Sequence, residues 1–147
     1  MKILSMNICD FGGLPKQKDL VSLFSDLFLD IIILQETMCP FSQSLILFSK
    51  IKHGWEYCAL DADGLSGGLL AGWNPLLVQV KDFSSLAGII VRVTIKGIED
   101  TLSVINYYDP YTQRIDFWDN IVADGLLSLQ NIILVGDLNF TISSSEV

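Results

Sequence analysis

The sequence predicts an α/β fold, and two features of the chain carry this prediction. Continuous aliphatic and β-branched runs, of which Asp30–Gln35 and Ile132–Val135 are the clearest, are typical of strands buried on both faces. Between such runs, Lys16–Phe28 places apolar side chains at positions i, i+3, i+4, i+7 and i+8, which is the spacing of an amphipathic helix. A strand, a helix and a second strand over about 35 residues indicate a βαβ-like unit at the start of the chain.

The length and composition fit a single folded domain. The chain has 147 residues, 50% of them are hydrophobic and the mean hydropathy is +0.46, so disorder is not expected. No apolar run approaches the length of about 18 residues that a membrane-spanning helix needs, and the densest run, Leu27–Leu34, is interrupted by Asp30. Met1–Cys9 is too short and too polar for a signal peptide. We therefore expect an intracellular protein, nuclear or cytoplasmic, with no membrane segment.

The charge balance argues against one way of binding nucleic acid. A formal net charge of −8 argues against a broad basic surface that holds phosphates by counterion release. It leaves room for a phosphate-handling site, because a divalent cation can supply positive charge locally. The three cysteines, Cys9, Cys39 and Cys58, are odd in number and lack the spacing of a zinc site. We expect them to be free thiols that serve as packing residues in a reducing compartment.

Further helices and strands are predicted along the rest of the chain. An N-terminal strand spans Lys2–Ile8, and helical spacing extends over Pro40–Ile51 and Thr112–Leu129. Asp61–Gly64 is predicted to be a turn, and Lys96–Asp100 is predicted to connect a hairpin. The other predicted strands are Trp55–Leu60, Leu69–Trp73, Leu76–Phe83, Ile89–Ile95 and Thr101–Tyr108.

Polar side chains stand at the ends of four predicted strands. They are Asn7, Glu36, Tyr108 and the pair Asp137 and Asn139. Each also has a structural interpretation, because Asp and Asn are common turn residues, a carboxylate can end a strand, and a tyrosine can be half-buried with its hydroxyl in water. In layered α/β proteins, however, binding sites are built at strand ends, so four such positions favour a common pocket.

The residue types suit one kind of chemistry. Glu36 is a hard oxygen ligand of the type that Mg²⁺ prefers, and Asn7 suits the orientation of a ligand beside it. Asp137 can accept a proton from an attacking water or align it. Asn139 and Tyr108 can donate hydrogen bonds to a phosphoryl oxygen as negative charge builds on it. The set describes metal-assisted hydrolysis of a phosphodiester.

Five short motifs in a fixed order extend this interpretation. They are S-M-N (Ser5–Asn7), L-Q-E-T (Leu34–Thr37), S-G-G (Ser66–Gly68), N-Y-Y-D-P (Asn106–Pro110) and G-D-L-N (Gly136–Asn139). In this order and at this separation they resemble the endonuclease/exonuclease/phosphatase superfamily. Within it, the segment S-G-G-L-L-A-G-W and the general run of the chain are most similar to the endonuclease region of plant LINE-type retrotransposons.

The resemblance implies a fold, a cofactor and a set of roles. The fold is a four-layer α/β/β/α sandwich, with two mixed sheets face to face and helices outside. Glu36 is the implied metal ligand for Mg²⁺ or Mn²⁺, with Asn7 beside it. Tyr108 contacts the phosphate, Asp137 positions or activates the nucleophilic water, and Asn139 helps to hold the phosphoryl group. DNA is the implied partner, and the Ser-Gly-Gly segment has a structural role.

The family pattern is only partly present in this chain. Met6 stands where members usually have Trp, Asp109 where a small residue is frequent, and Tyr111 where Asn is frequent. The family's second half supplies further strands, another site Asp and a near-terminal Asp-His or Ser-Asp-His. His53 is the one histidine here and does not match that position. The resemblance therefore implies that residues 1–147 form a single incomplete domain, the N-terminal portion.

Two expectations and two alternatives about function follow. The isolated chain is expected to have little or no activity, because losing one member of a cooperating catalytic group costs orders of magnitude in rate. An exposed sheet face is expected to cause self-association. Two alternatives stay open: a non-catalytic, truncated retroelement remnant, and a superfamily phosphatase or RNase whose substrate is not DNA.

Overall fold

The computed structural model of the chain describes residues 1–63, 66–85, 88–95, 97, 100–108, 119, 122–123, 125 and 128–137. Two mixed four-stranded sheets lie within these residues, and their inner faces pack against each other. Two helices cover the outer face of the first sheet. This arrangement confirms the predicted α/β sandwich.

The first sheet is formed by the N-terminal half of the chain. Its strands are β1 (Ile3–Asn7), β2 (Ile31–Gln35), β3 (Glu56–Asp63) and β4 (Ser66–Trp73), in the order β1-β2-β4-β3. Helix α1 (Leu14–Asp26) connects β1 to β2, and these two strands are parallel, as the predicted βαβ-like unit requires. Helix α2 (Phe41–Ile51) connects β2 to β3, and the remaining pairs are antiparallel.

The second sheet is formed by the following residues. Its strands are β5 (Val78–Ser85), β6 (Gly88–Ile95), β7 (Thr101–Tyr108) and β8 (Ile132–Asp137), in the order β5-β6-β7-β8. The β6–β7 pair is antiparallel, as expected for the predicted hairpin connection. Strands β7 and β8 are parallel, and Tyr108 is the register partner of Asp137. Both parallel pairs therefore end near the residues that the sequence singles out.

The predicted turn at Asp61–Gly64 is wrong in its first residues, because β3 continues through Asp63, which pairs with Ser66 of β4. Aspartate is a common turn residue, so the sequence pattern placed the start of the turn too early. In the structure, the strand pairing accommodates these residues up to Asp63. The predicted helix Thr112–Leu129 falls mostly outside the described residues.

Alternation along the strands divides the apolar side chains between two layers. In β2, Ile31 and Ile33 face the second sheet, whereas Ile32 and Leu34 face the helices. The inner layer consists of Ile31, Ile33, Cys58, Leu69, Ala71, Trp73, Val78, Ile89, Val91, Val93 and Val104. The inner faces of the described strands thus cover each other. At about 25 cal/mol per Å² of apolar surface, such burial is the main stabilising contribution to the fold.

Strand β8 differs from its predicted environment. The sequence predicts a strand buried on both faces, but most of β8 is only half-buried and Ile133 is 36% exposed. The reason is its position: β8 has one strand neighbour within the described residues, β7, whereas β2 lies between β1 and β4. The apolar run therefore predicted the strand correctly, but it predicted deeper burial than the structure shows.

Neither α1 nor α2 combines the length and the apolar character that are needed to cross a membrane.

Candidate active site

Three of the predicted site residues lie at one edge of the two sheets. Asn7 ends β1, Glu36 directly follows β2, and Asp137 ends β8. The side chain of Asn7 donates a hydrogen bond from Nδ2 to Oδ2 of Asp137 at 2.8 Å, although the two residues are 130 positions apart in the sequence. This bond crosses from the first sheet to the second. It brings together two residues that the sequence could place only at strand ends.

Glu36 joins this pair through a cysteine. The Sγ atom of Cys9 lies 3.2 Å from Oε2 of Glu36 and 3.1 Å from Oδ1 of Asn7, within donating distance of both. Glu36 is only 9% exposed. Its backbone lies in the left-handed region, with a φ of 52°, and its carbonyl accepts a hydrogen bond from the backbone N–H of Asp10 at 2.8 Å. Strained backbone of this kind is frequent at functional sites.

Cys9 is not the inert packing residue that we expected from the sequence. It is exposed, whereas Cys39 and Cys58 are buried as predicted. Its hydrogen bond to the Glu36 carboxylate is the largest cause that raises the pKa of the Cys9 thiol, so the thiol is protonated at neutral pH. Its spacing of two residues after Asn7 was the one signal in the sequence that could have placed it here.

The turn that carries Cys9 is held by a lysine. Cys9 and Asp10 have φ values of 43° and 96°, which are uncommon for residues with side chains. The Nζ atom of Lys16, in α1, donates to the carbonyl oxygens of Ile8 and Cys9 at 2.6 and 2.7 Å. The ammonium group thereby fixes the backbone between β1 and α1 next to the site.

The loop after Glu36 rests on the Ser-Gly-Gly segment. The backbone N–H groups of Thr37 and Met38 donate to the carbonyl oxygens of Gly68 and Gly67, each at 3.1 Å. Both glycines have φ values near 80°, in the left-handed region that glycine adopts without cost. These contacts agree with the structural role that we expected for this segment.

Gly136 determines where Asp137 stands. Its φ is +143°, and a Cβ atom at this position would lie 1.8 Å from the carbonyl oxygen of Tyr107. No side chain fits in that space, so only glycine lets β8 approach β7 here. The G-D pair of the motif therefore has a steric reason: the glycine permits the close approach, and the aspartate emerges directly after it.

A buried amide pair lies beneath the site. Nε2 of Gln35 donates to Oδ1 of Asn106 at 2.8 Å and lies 3.2 Å from Oγ of Ser5. Nδ2 of Asn106 donates to the carbonyl oxygen of Leu34 at 3.2 Å. Both amides are almost fully buried. The two residues stand inside quoted motifs, but sequence reasoning assigned them no role, since nothing in a motif shows that two of its letters meet across two sheets.

Two predicted site residues remain only partly located. The backbone of Tyr108 pairs with Asp137, so it belongs to the same edge, but its side chain is not among the described groups. Asn139 lies outside the described residues. Their contacts with a phosphoryl group stay predictions.

The donor set fits a hard divalent cation. Within the described residues, no three or more His, Cys, Asp and Glu side chains cluster as a metal cage would require. Mg²⁺ does not need such a cage, because it binds through one or two carboxylates and retains several waters. Glu36 and Asp137 supply carboxylate oxygens at one sheet edge, and the amide of Asn7 lies between them. Glu36 and Asn7 would hold such an ion, and the Asp137 carboxylate would lie beside it.

Solved structures share this fold at low sequence identity. TDP2 from D. rerio, complexed with a single-strand DNA product, matches with a TM-score of 0.68 and 16% identity over 95% of this chain and 60% of its own. The AP endonuclease LMAP from Leishmania major has a TM-score of 0.72 and 14% identity over 93% of this chain and 54% of its own. ANGEL2, a 2′,3′-cyclic phosphatase, has a TM-score of 0.71 and 12% identity over 97% of this chain and 53% of its own.

These likenesses concern the fold, and the chain spans less than two thirds of the length of each of the three structures. Among curated proteins, none matches this chain. The sequence pattern of one family matches residues 5–147, and proteins of that family generally depend on a divalent cation. The match includes the strand ends that carry Asn7, Glu36 and Asp137. The chain therefore belongs to the endonuclease/exonuclease/phosphatase family.

Proposed function

We propose that this chain carries the site of a Mg²⁺- or Mn²⁺-dependent phosphodiesterase that acts on DNA. The observation that supports this proposal most directly is the hydrogen bond between Asn7 and Asp137, with Glu36 connected to Asn7 through Cys9. Two carboxylates with an amide between them, at one edge of two sheets, suit metal-assisted hydrolysis of a phosphodiester. Residues 1–147 would form the N-terminal portion of such a domain.

Each residue has a defined task in this proposal. Glu36 holds the divalent cation, which when bound neutralises charge on the phosphodiester and polarises it. Asp137 accepts a proton from the attacking water, and Asn7 keeps the Asp137 carboxylate in the orientation that this transfer needs. Tyr108 and Asn139 donate hydrogen bonds to the phosphoryl oxygens.

DNA is the proposed substrate for two reasons. One neighbour is described as complexed with a single-strand DNA product and another as an AP endonuclease. The motif order also resembles retrotransposon endonucleases, and we propose that origin for this chain. Reading the genomic locus past the codon for Val147 tests it: an open frame with further strands and an Asp-His pair supports a retroelement endonuclease, whereas a locus without retroelement sequence contradicts that origin.

The net charge of −8 shapes how the substrate would be bound. A net charge of this sign disfavours a broad basic surface, so the cation at Glu36 would supply most of the positive charge that attracts phosphate. Substrate binding should therefore depend strongly on the divalent cation and weakly on monovalent salt, because few counterions are released. This distinguishes the proposed site from a nuclease that grips DNA with lysines and arginines.

The test is nicking of supercoiled plasmid DNA by the purified chain with Mg²⁺ or Mn²⁺. We expect weak, metal-dependent nicking that Asp137→Asn and Glu36→Gln reduce by a factor of about 100 or more. Asp19→Asn, an exposed carboxylate on α1, is the matched control and should nick as the unaltered chain does. Bis(p-nitrophenyl) phosphate tests the reaction without a requirement for DNA.

A second measurement separates the alternatives. Mn²⁺ binding followed by electron paramagnetic resonance should weaken in Glu36→Gln and stay unchanged in Asp19→Asn. Metal binding without nicking of any substrate indicates the non-catalytic remnant. Cleavage of 2′,3′-cyclic nucleotides or RNA in preference to plasmid DNA indicates the alternative substrate class, for which ANGEL2 is the structural precedent. If the chain shows no metal binding and no hydrolysis of any of these substrates, the proposal is contradicted.

Self-association through an exposed sheet face also stays a prediction. Sedimentation velocity over a range of protein concentrations checks it: a single monomeric species at all concentrations would contradict it, and a concentration-dependent shift to larger species would support it.

A further inference from the structure

The amide pair of Gln35 and Asn106 occupies a layer of its own between the apolar core and the candidate site. Below it, the inner faces of the two sheets pack through a cluster of apolar side chains that includes Ile33 and Val104. Above it stand Asn7 and Asp137. Gln35 is 2% exposed and Asn106 is 0% exposed, and their hydrogen bond of 2.8 Å joins β2 of the first sheet to β7 of the second.

The free-energy cost of burying two amides argues against the view that the pair serves only to hold the two sheets together. A buried amide that lacks a partner loses about 1–3 kcal/mol, whereas replacing both partners with apolar groups of similar shape can be nearly neutral or even stabilising. Two apolar side chains would therefore hold the sheets together equally well. What the amides add is direction, because a hydrogen bond fixes the lateral position of one strand relative to the other and an apolar contact does not.

The strand registers connect this fixed point to the site. Gln35 is the register partner of Asn7 and directly precedes Glu36. Asn106 is the register partner of Val135, which is two residues before Asp137. Any sliding of one sheet over the other at the amide pair would therefore move Asn7 and Glu36 relative to Asp137. A second hydrogen bond, from Nδ2 of Asn106 to the carbonyl oxygen of Leu34, also restrains β7 relative to β2.

We propose that Gln35 and Asn106 are positioning residues that set the distance and orientation between the Asn7–Glu36 side and the Asp137 side of the metal site. This inference rests on the proposed function for its meaning, but the geometry that it describes can be measured without any activity. Groups that orient metal ligands indirectly typically contribute about 10–100-fold to metal affinity, and we expect an effect in that range.

The decisive variant is the double substitution Gln35→Met/Asn106→Leu. It replaces both amides with apolar side chains of similar size, so the core should remain packed and the melting temperature should stay close to that of the unaltered chain. The single variant Asn106→Leu leaves the Gln35 amide buried without this partner and should melt at a lower temperature. Ser44→Ala, which removes a buried hydroxyl on α2 and leaves the amide pair intact, is the matched control.

Two readouts distinguish positioning from structural support. The first is the exchange rate with water of the Asn7 side-chain amide protons in ¹⁵N NMR spectra, identified by their loss in Asn7→Ala, because these protons report the hydrogen bond to Asp137. The second is the dissociation constant of Mn²⁺. In the double variant we expect about tenfold faster exchange or more, and about tenfold weaker Mn²⁺ binding or more. Ser44→Ala should change neither.

A compensating swap completes the test. Gln35→Asn/Asn106→Gln keeps one long and one short amide across the two strands, so the hydrogen bond can form again, and both readouts should return towards those of the unaltered chain. A folded Gln35→Met/Asn106→Leu variant with unchanged Asn7 exchange and unchanged Mn²⁺ affinity would overturn the inference. If the unaltered chain binds no Mn²⁺, the proposed function fails, while the exchange of Asn7 still decides the role of the amide pair.

Discussion

Strands β2 and β8 each lead to a carboxylate of the candidate site, but the two strands are supported very differently. Every residue of β2 is buried, and the strand has a neighbour on both sides and helices over its outer face. Most of β8 is half-buried, and among the described residues it pairs only with β7. Glu36 therefore extends from the most deeply packed strand, and Asp137 from a peripheral one.

This difference shows that the two halves of the site are stabilised by different means. Glu36 is placed by the packing of the first sheet, whereas Asp137 is placed by a close backbone approach at Gly136 and by the hydrogen bond from Asn7. Packing is spread over many contacts, so single substitutions weaken it gradually. The close approach of β8 to β7, in contrast, depends on the single residue Gly136, so one substitution there should abolish it.

The largest effect is expected from Gly136→Ala. Its Cβ would lie 1.8 Å from the carbonyl oxygen of Tyr107, so β8 must shift away from β7. We expect a loss of about 4 kcal/mol or more in the free energy of unfolding, measured by urea denaturation. Gly97→Ala is the control, because Gly97 also has a positive φ, of 89°, but has open space around it; it should cost about 1 kcal/mol. Equal losses in the two variants would contradict the steric explanation.

The next effect comes from a matched pair of isoleucines. Ile33 in β2 is fully buried, and Ile133 in β8 is 36% exposed. Ile33→Ala should destabilise the protein by about 2–5 kcal/mol because it leaves a cavity in the inner layer. Ile133→Ala should cost less than about 1 kcal/mol, because solvent already reaches that side chain. Similar losses in thermal or urea unfolding would mean that β8 is covered as deeply as β2.

The last effect appears only above pH 9 and concerns how well solvent is excluded from the inner layer beneath the first sheet. Burial raises the pKa of the Cys58 thiol from its ordinary value of 9.0 to about 12. The unfolded chain loses this proton at a lower pH than the folded chain, so the contribution to stability is complete below pH 9. It then falls by about 1.4 kcal/mol per pH unit until the folded thiol titrates.

Urea unfolding of the unaltered chain and of Cys58→Ala between pH 8 and about 11 measures this contribution, with the upper limit chosen below the folded pKa. The difference between the two curves isolates Cys58 from the lysines and tyrosines that also titrate there. A difference that does not change with pH would mean that water reaches this thiol.

Much of the fold follows from local patterns in the sequence. The apolar run Thr101–Tyr108 matches β7 at both ends, and the helical stripe before Asp30 matches α1 to within two residues. These features depend on neighbours in the chain. The burial of β8 does not, because it depends on which strands lie beside it, and no periodicity records that. For the same reason the sequence overestimated how deeply Ile133 is packed.

The candidate site was predictable as a set of residue types but not as a set of contacts. Asn7, Glu36 and Asp137 were found because polar residues at strand ends are recognisable. Cys9 was missed because its one positional signal, a spacing of two residues after Asn7, is weak on its own. Gln35 and Asn106 were missed because their partnership exists only after two sheets have been stacked.

The hydrogen bond between Asn7 and Asp137 has a consequence for folding kinetics. It closes a loop of 130 residues and links the first strand of the chain to β8. Contacts of such high sequence separation form late, because the entropy of closing the loop must be overcome before they give any stabilisation. A refolding chain would thus assemble the proposed metal site only with the last cooperative step. An ion that binds there would stabilise the complete native state and no partly folded precursor.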